Sequence, residues 1–227
     1  MTHRTHATVG LLLLLAATPL QAQATAQQAA GWISLFDGTS TTAWRGYNKS
    51  ELPAGWQVVE GALTRVAEGG DIITRDKYDN FELSLEWKIA KGSNSGIFFH
   101  VVEDTARAMY MSGPELQVLD NTVHQDGLEP RTSAGSNYAL HAPVRAVTKP
   151  AGEWNQTRII VSGSHVEHWL NGVKVVAYEL WSDDWQQRVA ASKFKAWPGY
   201  GLAKTGHIGL QDHGDWVAYR NIRIKSK

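Results

Sequence analysis

The 227-residue sequence contains no cysteine, which excludes disulfides, thiolate metal ligands and thiol nucleophiles together. An excess of one charge is also missing, since 22 basic side chains face 22 acidic ones. That balance gives no electrostatic reason to expect nucleic acid or an anionic membrane as partner. Neither a Gly-x-Ser-x-Gly elbow nor a phosphate loop nor a dinucleotide fingerprint occurs. Of the nine histidines, all but His3 and His6 lie beyond residue 24, and none shows His-x-x-x-His or His-Glu-x-x-His spacing. His165 and His168 are three apart on an expected strand, an offset that sends the two rings to opposite faces. No cofactor is called for, while an oxygen-ligated divalent cation, calcium above all, stays open.

Long apolar runs are scarce as well. Leu11 to Ala17 follows Arg4 and two histidines and precedes Ala22-Gln23-Ala24. The run is short for a bilayer span, and small residues stand at the usual cleavage spacing. Residues 1–24 are therefore expected to be a signal peptide, 25–30 a Gln/Ala linker, and 31–227 a single domain. Without a lipid-attachment cysteine, the expected product is secreted or periplasmic, with no stable membrane span after processing. Removing Arg4 leaves 21 basic against 22 acidic side chains.

Aromatics are plentiful, ten of them tryptophans. Alternation is plainest from Asn80 to Ile89, where Phe81, Leu83, Leu85, Trp87 and Ile89 share one face of a strand. Asn171-Gly172 between two alternating runs predicts a tight hairpin. Gly92 to Gly96 reads as a turn, Ser182-Asp183-Asp184 as the cap of one short helix. Gly206 to Gln211 and Trp216 to Lys225 read as a closing strand pair. Many strands and no βαβ rhythm predict an all-β fold, a two-sheet antiparallel sandwich or jelly roll. Two long connections, Glu103 to Gly113 and Asn121 to Asn137, are of a length that usually carries function. His124 and Glu129 are candidate lid residues in the second.

Gly113-Pro114-Glu115-Leu116-Gln117-Val118-Leu119-Asp120 holds the candidate chemistry. Glu115 and Gln117 point one way and Leu116 and Val118 the other, so an acid and an amide share a face that in an aromatic-rich sandwich suits a sugar. Glu-x-Gln-x-x-Asp is similar to the Glu-x-Asp-x-x-Glu signature of jelly-roll β-glucanases, with an amide for the central acid. His207, Gly209, Gln211 and His213 alternate onto another face, where an imidazole and an amide suit hydroxyls or a general base. His168 and His100 lie in apolar strands and read equally as core histidines. Lys193 follows the expected helix, and Asn94 lies in Asn94-Ser95-Gly96.

Several stretches in order, namely Leu35-Phe36-Asp37-Gly38, Phe81-Glu82-Leu83, Asn94-Ser95-Gly96-Ile97, Glu115 to Asp120, Gly152-Glu153-Trp154-Asn155, His168-Trp169-Leu170-Asn171-Gly172 and Gly206 to Gly214, are found together. In combination they resemble the 3-keto-disaccharide hydrolase domain family over essentially residues 31 to 226. The resemblance implies a concanavalin A-like, laminarinase-type jelly roll and a small carbohydrate substrate oxidised at carbon 3. Such a ketone acidifies the carbon-2 proton, so one base, an oxyanion stabiliser and an acid suffice for elimination followed by water addition. On that basis His213 or Glu115 is the expected base, with His168 and Lys193 as acid or enolate stabilisers. Gln117, Asn94, Gln211, Asp120 and His100 are expected to bind substrate, and Trp154, Trp169 or Trp197 to stack on the sugar. A non-catalytic carbohydrate-binding module and a retaining β-glucanase are the alternatives.

Overall fold

The computed structural model describes residues 31–227; the expected signal peptide and linker lie outside the described residues. The strands are β1 (Ile33–Phe36), β2 (Trp44–Gly46), β3 (Trp56–Val59), β4 (Ala62–Arg65), β5 (Ile72–Thr74), β6 (Phe81–Ile89) and β7 (Asn94–Val101). After a long connection come β8 (Glu115–Leu119), β9 (Asn155–Ser162), β10 (His165–Leu170), β11 (Val173–Glu179), β12 (His207–Leu210) and β13 (Val217–Ser226), with one α-helix among the described residues, α1 (Asp183–Ala190). They form two antiparallel sheets. The larger runs β11-β10-β9-β6-β13-β4-β3, with β1 on β13, and the smaller runs β2-β5-β12-β7-β8. This is the two-sheet, almost all-β architecture that the strand pattern predicts.

Alternation explains the stacking. On β6 the apolar file is buried between the sheets, while Glu82 and Glu86 face outward and hold Arg158 and Arg220 across the strands. From the smaller sheet Ile97, Phe99, Leu116, Val118, Ile208 and Leu210 join the same core. Its other face would be the solvent side of a simple sandwich, but every residue of β7 and β8 is buried. Phe98, Ile73, Val101 and Met109 form a second apolar cluster there, beneath the connection from β7 to β8. The short residues permit this approach: a Cβ at Gly209 would strike the Met109 sulfur. The hairpin between β10 and β11 turns at Asn171 and Gly172, both with positive φ, as its two-residue loop requires. Ser182 caps α1 by accepting from the Trp185 amide.

Two expectations about strands need correction. Asn94, Ser95 and Gly96 are not a turn; they open β7, because Asp120 and Asp215 accept the backbone N–H groups of Gly92 and Asn94 and fix the entry to the strand. Nor do β12 and β13 pair with each other. β12 lies between β5 and β7 and β13 between β6 and β4, so the chain crosses from one sheet to the other at residues 211–216. Asp212 anchors that crossing, accepting from the amides of Gly69, Gly70 and Gly214 and from the Arg65 guanidinium.

Candidate active site

Cross-strand register assembles the site. Gln117 lies opposite Gly96, Glu115 opposite Phe98 and Asn94 opposite Leu119, so Glu115, Gln117 and Asn94 share the outer face of the smaller sheet. Leu210 pairs with Ile97, and the Gln211 amide donates to the Gly96 carbonyl, which brings Gln211 into the same row. Only a residue without a side chain fits between them, since a Cβ at Gly96 would collide with Glu115 Oε1. The edge of β8 is covered by residues 135–138, whose backbone bonds to Gln117 and Glu115 set Tyr138 beside the acid.

Above this row lies a cavity of about 360 Å³, lined by Asn94, Glu115, Gln117, Gln211, His213, Lys193, Trp197, Tyr110 and Tyr138. The volume lies within the range of about 300–1,000 Å³ usual for small-molecule sites. Asn94 Oδ1, both side-chain atoms of Gln117 and Gln211 Oε1 are buried and find no partner among the described residues. Buried amides are normally satisfied, so this row of unpaired groups points to a polar ligand. Trp197 is held at the wall by Tyr110, at 5.3 Å between ring centres, and by Phe194, at 5.7 Å. His124 of the second long connection meets His213 edge-on at 6.3 Å.

Burial pushes the Glu115 carboxyl up to about 8, against the opposing pull of the Lys193 ammonium. At neutral pH this acid is mainly protonated and can donate. Asp71, just ahead of β5, is pushed up to about 6, again by burial, although the Asp212 backbone amide donates to it. Its charge in turn helps to hold the Glu115 carboxyl up.

Of the residues singled out from sequence, the fold thus gathers Glu115, Gln117, Asn94, Gln211, His213, Lys193 and Trp197 at one cavity. Others lie elsewhere. His168 is sealed inside the larger sheet, its Nδ1 3.2 Å from the Gly135 carbonyl, and burial lowers it to about 4, so it stays neutral and structural. His100 sits under a bulge with φ of 52°, its Nε2 against the Asp79 carbonyl. The extra residue of that bulge lies on β7, so His207 keeps the face of Gly209 but sits opposite Val101 at the far end of β12 from Gln211, with Nε2 3.8 Å from Glu103. Asp120 spends its oxygens on Thr122 and on the Gly92 amide. Trp154 packs under Lys88 and Arg220, and Trp169 under Arg158 and Lys174, both on the outer face of the larger sheet. Among the described residues no three His, Asp or Glu side chains converge to hold a metal ion. Sequence reading passed over Tyr110, Tyr138 and Asp71. The first two lay in or just past the long connections already suspected of function; nothing local marks Asp71, whose burial is set by strands far along the chain.

Comparison with known proteins places this geometry. A curated 3-keto-disaccharide hydrolase from Bacteroides thetaiotaomicron is 38% identical over 226 residues, covering 86% of this chain and 78% of the relative. The crystal structure of a protein from Parabacteroides distasonis ATCC 8503, provisionally assigned as a glycosyl hydrolase, superposes with a TM-score of 0.83 at 35% identity, covering 89% of this chain and 96% of that one. A carbohydrate-binding module of Bacillus subtilis, CBM66, matches with a TM-score of 0.53 at 12% identity over 82% of this chain and 96% of that one, a likeness of fold alone. The model of the 3-keto-alpha-glucoside-1,2-lyase-like domain matches residues 31–225, and the chain belongs to that family.

Proposed function

We propose that the chain is an exported enzyme that cleaves 3-keto-glycosides, 3-keto-disaccharides among them, by elimination and rehydration. A hydrolase acting on glycosides is the coarse reading that family and relatives support. The finer reading is carried by one observation: a single cavity gathers a carboxyl held neutral by burial, an imidazole, an ammonium and a row of unpaired amides. His213, exposed at the rim, takes the proton from carbon 2. The electron pair forms the carbon-2–carbon-3 double bond, and the oxygen on carbon 3 becomes an enolate. Glu115 donates a hydrogen bond to that oxygen, as a buried neutral acid does in other enolisation sites. Collapse of the enolate expels the glycosidic oxygen from carbon 1, and Lys193 protonates it. Water then adds to carbon 1 of the enone as carbon 2 regains a proton, which completes a net hydrolysis.

Gln117, Asn94 and Gln211 hold the hydroxyls, and Trp197 or Tyr110 lies against the ring. The retaining β-glucanase alternative needs two carboxyl groups about 5–5.5 Å apart, whereas among the described residues Glu115 is the one carboxyl lining this cavity. The test is incubation with a 3-keto-glucoside and with its unoxidised parent while release of the aglycone is followed. Cleavage of the keto form alone is expected. Turnover of the parent, or binding without turnover of either, refutes the proposal.

A further inference from the structure

A second cavity of about 380 Å³ adjoins the first and shares Tyr138 and Lys193 with it. The partition is a cation–aromatic pair, Lys193 Nζ standing 4.4 Å from the centre of the Tyr138 ring. The Tyr138 hydroxyl is tied back to Asp126 at 3.1 Å. The far side is built from the second long connection and the carboxyl end of α1. Arg131 is anchored through Nε to Glu129, at 3.0 Å, and Arg188 through Nε to Asp184, at 2.7 Å, and through Nη1 to the Leu140 carbonyl, at 3.0 Å. Beyond these bonds, both guanidinium groups keep further N–H donors.

Charge and chemistry decide what such a space takes. Arginine donors, the Glu129 acceptor and the hydroxyls of Thr132 and Ser192 alternate with the apolar surfaces of Tyr138 and Leu140. An anion would find the carboxylates of Glu129 and Asp184 already on both guanidinium groups. A ring of hydroxyls, each donor and acceptor at once, suits the mixture, and its C–H faces suit the apolar part. Lys193 borders both spaces, the position required of a group that protonates the oxygen joining two sugar rings.

We propose that the second cavity is the subsite for the leaving sugar of a disaccharide, with the oxidised sugar in the first cavity and the glycosidic oxygen beside Lys193. This rests on the 3-keto-glycoside reading and adds where the second sugar binds. Arg131 and the exposed Ala191 are the positions to change, since neither touches the first cavity. Arg131→Gln removes donors and Ala191→Trp fills the space. The full chain is assayed on a 3-keto-disaccharide and on methyl 3-keto-glucoside, which has no second ring. Both variants are expected to lower kcat/KM for the disaccharide about tenfold or more, and to keep that for the methyl glycoside within about twofold, the pattern of binding energy drawn from a remote substrate group. Equal losses on both substrates, or no loss on either, overturn the inference while leaving the keto-glycoside reading in place. A wild-type protein that cleaves neither substrate overturns both.

Discussion

Replacing Glu115 by glutamine removes the buried carboxyl that lines the cavity and keeps its shape. The ordinary value of 4.5 rises to about 8 in the folded chain because burial penalises the charge. A folded value above the unfolded one means that the folded state holds the proton longer. The contribution to stability is therefore complete below pH about 4.5 and is lost progressively as pH rises through about 8. At about 1.4 kcal/mol per unit, the wild type should lose on the order of 4–5 kcal/mol across that window on account of this group alone. Glu115→Gln cannot titrate and should not show the loss; titrating groups remote from the cavity act on both proteins alike. Urea unfolding at pH 5, 7 and 9, with equal m-values checked, measures the difference. The variant should gain on the wild type steadily with pH. Curves that run parallel from pH 5 to 9 would refute the claim that Glu115 is a neutral acid in the folded protein, and with it its role as donor to the enolate.

His213→Ala should lower kcat by about 10²–10⁴ without changing the unfolding midpoint, because the ring is exposed at the rim; unchanged turnover would remove His213 as base. Gln117→Leu should raise KM for a 3-keto-glucoside, yet leave stability unchanged or raise it by up to about 1 kcal/mol. The amide it replaces is buried with neither atom paired, so a clear destabilisation in a urea titration would contradict that picture. Trp154→Ala should leave kcat/KM unaffected, since this ring packs on the far face of the sandwich; a selective rise in KM would place the site on the wrong sheet.

Period-two alternation was enough to determine from sequence which residues of β6, β8 and β10 face inward, and the Asn-Gly hairpin needed only its two residues. Both are local consequences of how side chains leave an extended backbone. Two sheets followed from them, and so did the grouping of Glu115 with Gln117. The neighbours of that pair did not, because pairing joins Gly96 to Gln117 and Leu210 to Ile97 across long separations in sequence. His100 and His168 show the limit most clearly. Each lies in an apolar strand where the sequence allows core and site alike, and a backbone bulge at one and a covering connection over the other decide for the core. Burial is a property of what packs above a residue, which the residue's own stretch does not encode. For the same reason only the tertiary structure could make Glu115 a neutral acid, bring Tyr138 and Lys193 together as a partition, and leave Trp154 and Trp169 on the opposite face.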